Sequence, residues 1–160
     1  MMPACKSRQL GTTTVEFAVV GLIFFIVLFG VFEVARAFYV FNALDESTRR
    51  GARMAAVCQI DDPAIAEVAV FNESGGGPAS PLIPGLTSAN IEVNYLDVDG
   101  TALGDPAAQF AQIEYVQVAI VDFQHQLIIP ANFLTIDSPD FRTTLPRESL
   151  GVSRDGFTPC

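Results

Sequence analysis

The only histidine, His125, stands in Phe123-Gln124-His125-Gln126-Leu127. No second histidine and no close cysteine pair completes a zinc-ligand spacing around it. It reads as a loop or strand-end residue. Gly75-Gly76-Gly77 lacks the lysine and the strand–helix context of a phosphate-cradling loop. Asp97 and Asp99, two apart beside Gly100, partly resemble a calcium loop. The remaining ligand positions are missing, so they read as a solvated turn. Asp61-Asp62 before Pro63 reads as a helix cap. The sequence therefore presents no catalytic constellation, no metal site and no cofactor site, and the chain reads as a non-enzyme.

Glu16 poses a different chemical problem. It stands one place before Phe17–Phe32, a run without a single charged residue. A carboxylate there costs a few kcal/mol on membrane-insertion scales. One reading places it at the headgroup level, helped by the helix N-terminal dipole. A second follows from its neighbours: basic Lys6 and Arg8, then Gly11, then Thr12-Thr13-Thr14-Val15-Glu16-Phe17. Cutting after Gly11 would remove both cations and expose a new ammonium on Thr12. A helix with a cation at its tip and an anion one turn in would remain. A neighbouring copy, displaced along a filament axis, would offer its ammonium to Glu16. Charge pairing would then set the stagger while the apolar helices pack.

The element that must position these groups is a long helix. A membrane span needs about 20 mostly apolar residues, each rising about 1.5 Å. Phe17–Phe32 supplies slightly fewer, with Glu33 at its far edge. A cleaved signal peptide is the alternative, and Ala35-x-Ala37 has the small-x-small pattern of a cleavage site. That pattern lies inside a sequence that continues helically, which favours an anchor. Lys6 and Arg8 on the near side, with no acidic residue before Glu16, point to a cytoplasmic N-terminus. Arg36, Arg49, Arg50 and Arg53 count the other way, but large domains translocate largely regardless of charge. Past the run, no proline occurs between Pro3 and Pro63. Val34, Phe38, Phe41, Leu44, Thr48, Ala52, Ala55 and Ala56 recur at helical spacing, with the arginines largely elsewhere. A helix over Thr14–Cys58, about 65 Å long, is expected.

The net charge of −9 is unevenly placed. Beyond Met54 the only cations are Arg142, Arg147 and Arg154 among many Asp and Glu. Such a body repels phosphate backbones, which excludes nucleic acid as its partner. Cys5 precedes the apolar run, while Cys58 and Cys160 follow it. If the body is exported, Cys58 and Cys160 would pair in an oxidising space. Two buried free thiols are the other possibility.

Beyond the long helix, a short helix over Ala64–Asn72 is expected, ended by Gly75-Gly76-Gly77. The Gly-, Pro- and Ser-rich stretch from Ser74 to Ser88 reads as a loop. Ile91, Val93 and Tyr95 alternate with Glu92 and Asn94 as in a strand. Ile113–Phe123 and Phe141–Leu145 read as two more. The fold class is α+β: a long N-terminal helix packed on a small antiparallel sheet. Its divisions are a basic leader over 1–11, a transmembrane core helix over 12–33, an amphipathic extension over 34–58, and an exported α+β domain over 59–160.

A glycine followed five residues later by a glutamate, at the head of a hydrophobic helix, resembles the type IV prepilin pattern. The wider stretch, with Gly11, Val15-Glu16-Phe17-Ala18, Gly30, Glu33, Arg36, Tyr39, Asn42-Ala43-Leu44 and Arg49-Arg50-Gly51-Ala52-Arg53, resembles the TadE-like family of tight-adherence pilus proteins. Phe141–Glu148 is similar to a strand that closes domains in this family. The resemblance implies cleavage by a prepilin peptidase at Gly11–Thr12 and subunit assembly through Glu16 and Phe17. It also implies a role in pilus assembly and surface adhesion as a minor pilin or pseudopilin. Its partners would be other pilin or pseudopilin subunits and the inner-membrane assembly machinery. Its place would be the bacterial inner membrane, N-terminus inward and domain outward, then the pilus. Major pilins of such systems are much shorter, so an accessory subunit is expected. The alternative is a permanently anchored single-pass protein whose exported domain binds a ligand.

Overall fold

Without a proline to interrupt it, the chain from Leu10 to Val57 forms one continuous helix, α1. Its 48 residues span about 72 Å at the standard rise. The computed structural model describes residues 10–73, 75–128, 135–154, 156–157 and 160. Cys5, Lys6, Arg8 and most of the expected leader lie outside these.

The two halves of α1 have different surroundings. From Gly11 to Phe32 no residue is buried, and the helix is long and apolar enough to cross a membrane. From Glu33 onward one face is covered: Glu33, Val40, Leu44, Ser47, Thr48, Ala52, Ala55 and Ala56 are buried. This face differs from the expected stripe. Val34 and Phe38 are 57% and 64% exposed, whereas Arg36 is half-buried. Between Glu33 and Phe41 apolar residues surround the helix, so spacing does not reveal which side the domain occupies.

The cover is built from a second helix and a sheet. Helix α2, Pro63–Ala69, starts as expected: Asp62 Oδ1 accepts a hydrogen bond from the Ala64 N–H at 2.9 Å, and proline takes the first position. It ends before the glycines, because Phe71 turns into the left-handed region at φ 68°. The Arg50 guanidinium lies 5.0 Å over that ring. Strands β1 (Ile91–Leu96), β2 (Tyr115–Ile120) and β5 (Arg142–Pro146) form an antiparallel sheet with β2 central. Ile91 pairs with Ile120 on one side, and Tyr115 pairs with Pro146 on the other. Pro146 lies on an edge strand, where its missing N–H leaves no ladder bond unmade. Val116, Val118 and Ile120 point inward at the period-two spacing of a strand.

The strand expected over Ile113–Phe123 is found but is shorter, Tyr115–Ile120. Asp122 takes φ 53°, a value that aspartate tolerates better than most residues. The chain then restarts as β3 (Gln124–Gln126), which pairs with β4 (Thr135–Asp137) in a separate two-stranded ribbon. Another two-stranded ribbon joins β6 (Val152–Ser153) to β7 (Gly156–Phe157). Asp97 and Asp99 form a closed turn, with Asp97 Oδ1 accepting the N–H groups of Asp99 and Thr101.

A three-stranded sheet gains independent stability only through a packed apolar face, and α1 supplies the surface it packs on. Small residues let the layers approach closely. Thr48 Oγ1 and Thr143 Oγ1 meet at 2.9 Å. At Gly51 an added Cβ would lie 3.0 Å from both Ala69 Cβ and Val118 Cγ1. Gly51→Val gains a few tenths of a kcal/mol in helix propensity but overfills this contact, which costs about 1–3 kcal/mol. We expect the urea midpoint of the micelle-bound chain to fall accordingly. An unchanged midpoint would mean that α1 does not wedge between α2 and β2.

Candidate assembly site

The residues expected to carry processing and assembly lie at the N-terminal end of α1. Gly11, Thr12, Glu16 and Phe17 are all helical and exposed, Phe17 by 79%. Among the described residues no cation pairs with Glu16. An added Cβ at Gly11, Gly21 or Gly30 would meet nothing within 4 Å. Each glycine weakens a helix interior by about 1 kcal/mol relative to alanine, and no packing among the described residues requires one at those three places. That half of α1 is shaped for something other than its own domain.

Among the described residues, Glu33 is the first of α1 to be buried. This residue is only 8% exposed. Its Oε1 accepts from the Ile128 N–H at 3.0 Å and from Arg36 Nη2. Arg36 Nη2 also donates to the Gln126 carbonyl. A single acid–base pair on the helix thus clamps the end of β3 and the residues just after it. Beside the clamp, His125 is 3% exposed and set edge-on to Phe41, with ring centroids 6.1 Å apart. Burial holds the imidazole below the usual histidine range, and Arg36 pushes the same way against the opposing pull of Glu33. It is a packing histidine at the middle of the three-residue strand β3, where a loop or strand-end position was expected. Among the described residues no group of three or more His, Cys, Asp or Glu is placed to hold a metal.

The far end of α1 is tied to the end of the sequence. Orphan carbonyls of a last helical turn need donors. Here Ala56 O accepts from the N–H groups of Glu148 and Leu150, and Val57 O accepts from Gly151 N–H and Ser149 Oγ. Cys58 and Cys160 are joined by a disulfide, with Cα atoms 5.6 Å apart. Asp62 serves twice: besides capping α2, its Oδ2 accepts the Cys160 N–H at 2.8 Å.

Against this geometry, residues 11–53 match the family model described as TadE-like protein. That stretch is similar to the TadE-like family. No curated protein and no solved structure matches the chain. The likeness is to the N-terminal helix alone, 43 residues from Gly11 to Arg53. The TadE-like segment begins at Gly11 and takes in the uncovered half of α1, Glu33, Arg36 and most of the covered face. The sheet lies outside it.

Two features of the TadE-like segment escape a reading by residue type. Glu33 looks like the edge of an apolar run, and Arg36 looks like a solvent-facing cation. Their spacing of three places them on one helix face and was the available signal. Nothing in the sequence announces that a backbone ninety residues later would complete the pair.

Proposed function

We propose that this chain is a minor pilin or pseudopilin of a tight-adherence-type pilus, cleaved by a prepilin peptidase between Gly11 and Thr12. The observation that carries the reading is the division of α1. One half is committed to the chain's own domain, and the other is apolar, uncovered and headed by Glu16, which has no ion-pair partner among the described residues. In lipid that carboxylate costs a few kcal/mol. The Thr12 ammonium of a neighbouring subunit would neutralise it, while Phe17 and the residues after it pack against neighbouring helices. The partners are then other pilin or pseudopilin subunits and the inner-membrane assembly machinery. Energy for assembly comes from a separate ATPase. The N-terminus faces the cytoplasm and the domain faces outward, where a Cys58–Cys160 disulfide persists. Surface adhesion follows from membership of the pilus.

Intact mass and N-terminal sequencing of membrane-extracted protein, from cells with the matching peptidase, test this reading. The mature chain is expected to begin at Thr12. A working protein that keeps Met1–Gly11 would instead be a permanent anchor carrying a ligand-binding domain.

A further inference from the structure

The charge-free run Phe17–Phe32 measures about 24 Å along a helix, short of the roughly 30 Å of a hydrocarbon core. The two sides of α1 resolve this shortfall differently. On the side facing away from the domain, Val31, Val34, Phe38 and Tyr39 are between 56% and 64% exposed. Polar character on that side begins only with exposed Asn42, followed by Glu46 and Arg49. Measured there, Phe17 to Tyr39 spans about 34 Å, enough to cross. On the covered side Glu33 and Arg36 interrupt the apolar surface early, but they are paired with each other. The Ile128 N–H and the Gln126 carbonyl complete the pair. Ile128 itself remains 55% exposed next to this clamp.

We infer that the bilayer boundary crosses α1 obliquely, at Phe38–Tyr39 on its outward side and at Glu33–Arg36 on its covered side, and that Ile128, just beyond β3, rests on the membrane surface as a lipid contact, sheathing the Glu33–Arg36 pair at the headgroup level. Charged groups at that depth are tolerated when paired and shielded. Aromatic side chains such as Phe38 and Tyr39 complete the apolar surface, and tyrosine favours the interfacial belt. The ligand of this surface is the headgroup–acyl boundary of a phospholipid bilayer. The domain would then stand on the membrane in a fixed orientation. The inference rests on the anchored state of α1 and is independent of cleavage at Gly11.

The sequence contains no tryptophan, so single reporters are unambiguous. Phe24→Trp, Phe38→Trp, Ile128→Trp and Val98→Trp are each made in the full chain. They are reconstituted at low protein-to-lipid ratio into phosphatidylcholine vesicles brominated near the top of the acyl chains or at mid-chain. Val98, 71% exposed near the β1–β2 turn, is the water-facing control. Emission from Phe38→Trp and Ile128→Trp is expected to fall roughly twofold with shallow bromines, as for groups seated several ångströms into the interface. Val98→Trp should not change, and Phe24→Trp should be quenched most by mid-chain bromines. If Phe38→Trp or Ile128→Trp matches Val98→Trp while Phe24→Trp is quenched, the inference is overturned with the anchor intact. Loss of quenching at Phe24→Trp as well removes the anchor itself. Quenching lost as protein density rises would show a second copy covering these residues, and would also overturn the lipid assignment.

Discussion

Replacing Glu16 with alanine is expected to reduce incorporation of this protein into filaments by at least tenfold while leaving its level in the membrane unchanged. The sign is not obvious, because removing a carboxylate from the head of an apolar helix makes insertion of the single chain easier. The loss arises on assembly. Each subunit in the proposed filament brings a Thr12 ammonium into the same apolar layer, and without Glu16 that cation has no partner. A buried charge left alone costs several kcal/mol, and each 1.4 kcal/mol corresponds to about tenfold in equilibrium. Glu16→Gln keeps the shape but not the charge, so it should fail like alanine. Glu16→Asp, with the charge kept on a shorter arm, should recover part of the incorporation. Comparing sheared filaments with the membrane fraction by immunoblot gives the ratio directly. Wild-type incorporation of Glu16→Ala would remove charge pairing from the assembly mechanism. Equal failure of Asp and Gln would show that arm length is required as well as charge.

What could be read ahead of the structure was what short-range physics decides. The absence of proline from Ala4 to Asp62 made α1 one helix, and Asp62-Pro63 started α2 at the expected residue. Alternation placed β1, and the strand expected over Phe141–Leu145 is found as β5 within one residue at each end. The failures all required knowledge of distant partners. Val34 and Phe38 were assigned to the covered stripe because their spacing fits it, yet lipid-facing and domain-facing residues share the same apolar types. The strand expected over Ile113–Phe123 stops at Ile120, and after the turn at Asp122 the chain forms β3, whose end meets Glu33 and Arg36 through Gln126 and Ile128. His125 became a buried strand residue for the same reason. Gly11, Thr12, Glu16 and Phe17 are proposed as assembly residues from their local pattern alone. The clamp is not legible in such a pattern, because its two halves lie ninety residues apart.

Removing the Cys58–Cys160 disulfide should be the most damaging single change to the domain. The bond closes a separation of 102 residues, and in the chain-entropy account a loop of that size contributes about 4–5 kcal/mol. For a domain near 100 residues, each kcal/mol moves the melting temperature by about 4–8 °C, so a fall of roughly 20 °C or more is expected. Cys160→Ser is the cleaner variant. Cys160 is exposed, whereas Cys58 is fully buried among Ala52, Ala55, Ile65 and Leu150, where a free thiol packs as a small apolar group. Melting of the full chain in micelles is best followed by the near-ultraviolet tyrosine signal. Tyr95 reports the same core: it is 2% exposed, and burial pushes its phenol up to about 12. Reduced wild-type protein should melt with Cys160→Ser. Tethering also matters locally, since Glu148–Gly151 cap the last carbonyls of α1 and Asp62 joins the α2 cap to Cys160. Without the bond these contacts must hold the C-terminal segment alone, and exposed hydrogen bonds contribute only about 1 kcal/mol each. A Cys160→Ser protein that melts within a few degrees of wild type would show that they suffice, and that the unfolded chain is already confined by other means.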